Sequence, residues 1–338
     1  MRRFIKAGLW SFFALALLLL VSALSMIRPD IPVAHLILEY TDEHSQFIEL
    51  DGLRVHVRDQ GPTDAPALLL LHGTFASLHT WDDWVDELQD DYRLVRLDLP
   101  GFGLTGPHPD QDYSLAATLY LLEALREQLS IAQWTAVGNS LGAGYALAYA
   151  QHVPEAVSGV GLLNGGRVRL SAAEYAARRA EVSQAQAAQR GPSLVVRALG
   201  QPQLRQALSN LTPRFIVRYA LRDVYGDPDQ VSAETVRRYQ DLLRRSGNRQ
   251  AFVTRSTAST RPADALPALT EPVPAEALDL PIVVMWGELD TWIPLSVGQR
   301  LHQALPNSVL ITYPELGHVP MEEAPARTAR DFIEAISR

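Results

Sequence analysis

Three residues in this sequence carry the chemistry that matters most. Ser140 stands in "GNSLG", Asp290 in "GELDTWIP" and His318 in "LGHVPMEEAP". A serine hydroxyl is a poor nucleophile at neutral pH. It needs an imidazole to take its proton and a carboxylate to orient and charge-stabilise that imidazole. The serine sits between Gly138 and Gly142, after an apolar run and before an alanine-rich one. That frame predicts a sharp strand-to-helix turn, with a strained serine held above a sheet edge and room beside it only for glycine. The helix that follows aims its free N–H groups at the same place and favours a developing oxyanion. A serine that opens a helix is otherwise just an N-cap, so the chemical reading depends on where the other two residues fall.

Their placement comes from the periodicity. "FIEL" and "LRVHVRD" predict an antiparallel hairpin turning at Asp51-Gly52. "ALLLLH" (67–72), "YRLVRLD" (92–98), "WTAVG" (134–138), "AVSGVGLLN" (156–164), "PIVVMWG" (281–287) and "SVLITY" (308–313) predict further strands. Continuous apolar runs of this kind fit strands buried on both faces. Helical spacing separates them in "TWDDWVDELQ", in Ser114 to Leu129 with Ser114 as N-cap, in "SLGAGYALAYAQH", in "PLSVGQRLHQAL" and in a last helix from Glu322 to Ile336. The alternation implies a mostly parallel sheet with helices on both faces. In such a sheet ligands meet the carboxyl ends of the strands. Ser140, Asp290 and His318 each follow a strand, in the chain order serine, acid, histidine. The other place for an acid, after the strand ending near residue 163, holds Asn164, and an amide cannot serve as the anion. Asp98 in "LDLPGFG" is expected to fix its turn through backbone hydrogen bonds. Trp81, Trp84 and Trp292 are expected either to line a pocket or to pack the core.

The strand pattern stops between residues 167 and 279, which read as a helical insertion over the sheet; 261–281 is its proline-rich return. This insertion holds 17 Arg against 11 acidic residues, a net of +6, and the rest of the chain is therefore −14 of the total −8. The excess reads either as solvated helix faces or as a surface toward anionic lipid. At the other end, Ala7 to Ile27 is an uncharged run of 21 residues behind Arg2, Arg3 and Lys6. As a helix it spans roughly 32 Å, one hydrocarbon core, with its positive end kept in the cytoplasm. The competing reading is a cleaved signal peptide with Ala23 and Ser25 at the cleavage site; that run is longer than such peptides use. The organisation is thus 1–30 anchor or signal, 31–45 linker, 46–166 and 280–338 two parts of one core, and 167–279 a helical cap.

Composition narrows the chemistry. The chain has no cysteine, which removes disulfides, thiolate nucleophiles and thiolate metal sites, and Lys6 is its single lysine, so a Schiff base or P-loop lysine is absent from the folded part. The acidic balance does not suggest a nucleic-acid partner. No metal and no cofactor is called for.

Together "HGTF", "LDLPGFGLT", "GNSLGAG", "WGELDTWIP" and "LGHVPMEEAP" resemble the α/β-hydrolase superfamily from about Phe47 to Arg338. They are closest to capped, membrane-associated bacterial esterases and lipases and to meta-cleavage-product hydrolases. Ala143 stands where those families often carry another glycine. The resemblance implies an eight-stranded sheet and a Ser140–His318–Asp290 triad. It places the oxyanion-binding N–H groups at Thr74, with Phe75 as the other choice, and at Leu141. It leaves His72 a loop-shaping role. The implied activity is hydrolysis of a small-molecule or lipid ester. Carbon–carbon bond hydrolysis of a dienone, or a non-catalytic binding module on the same fold, are the alternatives.

Overall fold

The computed structural model describes residues 28–166, 201, 212–257 and 273–338. Its frame is one eight-stranded sheet: β1 (Ser45–Leu50), β2 (Leu53–Gln60), β3 (Ala67–Leu71), β4 (Arg93–Leu97), β5 (Trp134–Asn139), β6 (Val157–Leu163), β7 (Ile282–Gly287) and β8 (Ser308–Tyr313). The spatial order is β1-β2-β4-β3-β5-β6-β7-β8. β2 runs antiparallel to both neighbours, and every other pairing is parallel. The entry hairpin turns at Asp51-Gly52 as expected. Both residues have positive φ, 49° and 74°, the primed turn that matches strand twist.

Successive residues of a strand point to opposite faces, and β3 shows why its run is unbroken. Leu69 and Leu71 face one apolar layer, with Leu119 and Leu122 of α3 (Leu115–Gln128), Ala146 and Leu147 of α4 (Leu141–His152), and Leu301 of α8 (Leu295–Ala304). Leu68 and Leu70 face the other, with Trp84 of α2 (Asp82–Leu88) and Phe332 of α10 (Pro325–Ile336). Ser114 caps α3 by accepting from Ala117 N–H at 3.2 Å. β3 lies between β4 and β5, so the chain departs to opposite sides at this point and opens a crevice beyond the strand ends.

Two segments differ from expectation. Residues 31–45 are more than a linker: they contain α1 (Val33–Tyr40) and the first residue of β1. Leu36 and Tyr40, one turn apart, pack on Leu104 and Leu242, and Tyr40 donates to Asp241 at 3.0 Å. The last helix is broken in two, α9 (Pro320–Glu323) and α10. Pro325 keeps Ala324 out of the helical region, at φ −144° and ψ 63°. Of the expected cap, the described part is α5 (Arg214–Val224), α6 (Ala233–Leu243) and α7 (Asn248–Thr257). The expected cap residues 167–200, 202–211 and 258–272 lie outside the described residues, as does the Ala7–Ile27 run. Among the described residues no helix is long and apolar enough to cross a membrane.

Candidate active site

Ser140 follows β5 and precedes α4 with φ 52° and ψ −110°. A side-chain-bearing residue is held there only at a cost of about 1–3 kcal/mol, so the surroundings must impose it. They do so by close approach. A Cβ on Gly138 would lie 2.2 Å from the Gly142 carbonyl carbon, and one on Gly142 would lie 2.2 Å from the Leu71 oxygen. The Ser140 N–H donates to Leu163 O at 2.9 Å, which pins the turn to β6. The loop after β3 passes beside the serine: a Cβ on Gly73 would come within 3.2 Å of Ser140 Cβ. Thr74 therefore flanks the nucleophile position, and Phe75 is strained at φ 67° with its ring on Phe252 of α7. Leu141 is the first residue of α4, so its N–H has no partner within the helix.

The acid and the base meet. Asp290, just past β7, is hydrogen-bonded through Oδ2 to His318 Nδ1 at 2.7 Å. Its Oδ1 accepts from the N–H groups of Trp292 at 2.8 Å and Ile293 at 2.9 Å. Both residues are buried. Among the described residues the Ser140 hydroxyl forms no hydrogen bond. The structure thus assembles the acid–base half of the constellation and leaves the hydroxyl free. His318 is nevertheless tied to the serine's turn, because Asn139 Nδ2 donates to the His318 carbonyl at 2.9 Å.

Sequence patterns left four positioning groups without a role. Asn164 donates to Asp290 Oδ2 at 2.8 Å and accepts from Gly287 N–H at 3.1 Å. The cap supplies the next two, and α9 supplies Glu323. Val224 O, at the end of α5, accepts from His318 N–H at 2.7 Å. Asp223 takes Thr291 Oγ1 on its carbonyl and Trp292 Nε1 on its carboxylate, each at 2.9 Å. Glu323 accepts from Gly317 N–H at 2.9 Å and from Gly226 N–H at 2.7 Å. Burial pushes the Glu323 carboxyl above its ordinary range despite these N–H groups. Trp292 also lies against the imidazole, with ring centres 5.8 Å apart. The only advance sign was the tryptophan and the paired glutamates beside the two loops.

Other side chains are structural. Trp81 and Trp84 are fully buried, edge to face at 5.2 Å, so neither lines a pocket. Their spacing packs α2 against α10, where Trp84 Nε1 donates to Thr328 at 2.9 Å. His72 donates through Nδ1 to Gly73 O at 2.7 Å, and its Nε2 accepts from Leu99 N–H at 3.0 Å. Burial holds His72 below its ordinary pKa against the pull of Asp98, which fits this neutral form. Asp98 accepts from Leu78 N–H at 2.8 Å and Leu104 N–H at 2.7 Å, the turn-fixing part expected of it, and also pairs with His56 Nδ1 at 2.8 Å. A cavity of about 480 Å³ lined by Arg58, His79, Asp82, Arg96 and Arg238 includes none of the three candidate catalytic residues. Among the described residues no acid or histidine cluster is arranged to hold a metal.

The family model for the alpha/beta hydrolase fold matches residues 66–325, most of the chain and all three loops of the site. The chain belongs to this family. Within the alpha/beta hydrolases it is 26% identical over 289 residues to the uncharacterized hydrolase YugF of Bacillus subtilis (strain 168), covering 84% of this chain and 96% of that one. It is 28% identical over 313 residues to a 2-hydroxy-6-oxononadienedioate/2-hydroxy-6-oxononatrienedioate hydrolase of Burkholderia vietnamiensis (strain G4 / LMG 22486), covering 88% and 96%. Among solved structures, a bacterial membrane phospholipase A superposes with a TM-score of 0.62 at 21% identity, covering all of this chain and 98% of that one. At that identity the likeness concerns the fold.

Proposed function

We propose that this alpha/beta hydrolase cleaves carboxylic esters through an acyl-enzyme on Ser140. The observation that supports this best is the 2.7 Å Asp290–His318 pair on the rim that carries the strained Ser140 turn. The Asp290 carboxylate fixes the proton on Nδ1 and leaves Nε2 as the base. His318 takes the hydroxyl proton as Ser140 Oγ bonds to the ester carbonyl carbon. The carbonyl π electrons move to oxygen, and the Thr74 and Leu141 N–H groups receive that oxyanion. The ester C–O bond then breaks, and His318 passes its proton to the departing alcohol. Water, deprotonated by the same imidazole, attacks the acyl carbon and releases the acid and free Ser140. The free Ser140 hydroxyl fits an enzyme whose catalytic hydrogen bond tightens when substrate arrives.

The Burkholderia relative's name favours a second reading, hydrolysis of a carbon–carbon bond in a dienone acid. The uncharged Ala7–Ile27 run weighs toward esters, since an enzyme anchored in a membrane by such a span meets ester substrates in its own membrane. In this reading the run holds the chain at the membrane with the catalytic domain outside the cytoplasm; cleavage of the run would release it. Turnover of p-nitrophenyl esters from short to long acyl chains, beside a ring-cleavage dienone, decides between the two. Ester turnover with fluorophosphonate labelling of Ser140 is expected. Dienone turnover alone would replace the ester reading, and no labelling at all would leave a binding module.

A further inference from the structure

We infer that the outer face of α5 docks on an anionic lipid bilayer, beside the point where the N-terminal apolar run joins the folded domain. This rests on the membrane-anchor reading above. Three observations meet here. First, α5 has two unlike faces. Val217, Leu221 and Val224 are buried, whereas Arg214, Phe215, Arg218, Tyr219 and Arg222 are all exposed, Phe215 at 58% and Tyr219 at 48%. At about 100° per residue these five occupy one continuous sector of about 140°. Aromatic rings between guanidinium groups suit a bilayer interface, where rings sit at headgroup depth and arginines meet lipid phosphates.

Second, the start of the folded chain is stapled to Thr212, just ahead of this helix. Arg249 binds Asp30 Oδ1 through Nε at 3.1 Å and Nη2 at 2.5 Å, and donates through Nη1 to Thr212 Oγ1 at 3.2 Å. Arg244 donates to Pro29 O at 3.1 and 2.9 Å. Asp30 and Thr212 are thus joined by one side chain, Pro29 is held by a second, and Arg28 connects directly to the uncharged run. A span beginning there brings the bilayer surface to α5.

Third, the charge fits. Arg222 has a partner in Asp229 at 3.0 Å, and among the described residues Arg214 reaches only the neutral Gln240, at 3.4 Å. Among the described residues Arg218 has no acidic partner. The apolar run folded back on α5 would offer these guanidinium groups no counter-charge, because Ala7–Ile27 contains none. Phosphate-bearing lipid supplies it.

The chain's lack of cysteine makes the test direct. The full chain carrying Phe215→Cys or Tyr219→Cys, with Val309→Cys on β8 as an exposed control, is spin-labelled. Each is mixed with phosphatidylcholine vesicles, with or without about one third phosphatidylglycerol. Flotation reads the anchor, and oxygen accessibility of the label reads the helix face. The expected result is flotation with both vesicles and an apolar label at 215 and 219 on the anionic ones only, with 309 staying in water. Arg214→Gln with Arg218→Gln should weaken that docking about fivefold per arginine. Flotation with both labels still in water overturns the docking and spares the anchor. Failure to float overturns both. Labels that are already apolar in neutral detergent place the N-terminal run on α5 and overturn the lipid assignment.

Discussion

Among the described residues, two buried imidazole–carboxylate pairs have nearly equal geometry. His318–Asp290 is hydrogen-bonded at 2.7 Å and His56–Asp98 at 2.8 Å. In each, the acid also accepts from two backbone N–H groups of its own or a neighbouring turn, and Asp290 alone takes a further side-chain donor, Asn164. The second pair even has a serine, Ser45, whose hydroxyl lies 3.1 Å from His56 Nε2. The difference lies beyond the pair. Ser45 sits in an ordinary antiparallel strand opposite Arg58, and its hydroxyl is engaged by Arg58 Nε at 3.0 Å and by Asp42 at 3.2 Å. Ser140 is held at positive φ ahead of a helix, with a free hydroxyl and N–H groups nearby. A histidine–aspartate pair is therefore a structural staple by default. In the proposed mechanism, the strained turn and the N–H donors beside it turn one of them into a catalytic device.

The largest effect that separates the pairs is at the serines. Ser140→Ala should lower kcat/KM on a p-nitrophenyl ester about 10⁴-fold or more, and Ser45→Ala about twofold at most. Comparable losses in both would break the comparison. At the acids the two variants should fail in different ways. Asp290→Asn presents the wrong imidazole tautomer and should cost about 10³–10⁴ in kcat with the melting temperature nearly kept. Asp98→Asn strands a buried imidazole and should remove about 3 kcal/mol of unfolding free energy, with kcat per folded molecule retained. Urea unfolding beside active-site titration reads both.

A smaller effect sharpens what holds the catalytic pair. Asn164→Ala removes a donor to an ionised carboxylate and should lower kcat about 10–100-fold. Asn164→Asp should do something a packing residue would not. Its charge, close to Asp290, favours imidazolium, so the acid limb of the pH–kcat/KM profile should move to higher pH. An unmoved limb would reduce Asn164 to a scaffold.

These positioning groups also mark where sequence reading ends. β3 to β8 were legible because each is an apolar run closed by turn residues. Ser140, Asp290 and His318 could be singled out because each lies in the turn or loop after such a run. Asn164, Asp223 and Glu323 act across the fold: Asn164 meets a carboxylate 126 residues away, and Glu323 meets an N–H 97 residues away. Periodicity reports only local geometry, so nothing in it pairs them. His56 was hidden for the same reason, inside a strand that alternation alone explains. α1 was missed because eight residues behind Pro32 carry no polar N-cap. The break before Pro325 was readable from proline geometry and was outweighed by the helical spacing around it.

The finest test uses acid. Burial alone would raise the Asp98 carboxyl, but the hydrogen bond and charge of His56, with His72 and the Leu78 N–H, outweigh it and hold the group well below the usual carboxylate range. A folded pKa below the unfolded one, about 3.9, means that the unfolded chain binds the proton more readily. The resulting stability is therefore fully present above that value and is lost as the pH falls toward the folded pKa. Glu323 has the opposite sign: burial raises its pKa, so its share is present at low pH and fades as the pH rises above the ordinary glutamate value. It cannot produce an acid-side loss. The stability gap between wild type and Asp98→Asn should accordingly be constant near neutrality and narrow below about pH 4. A gap that keeps its full size to the acid end of the titration would mean that Asp98 acts through shape rather than charge. The contrast between the two pairs would then rest on the serines alone.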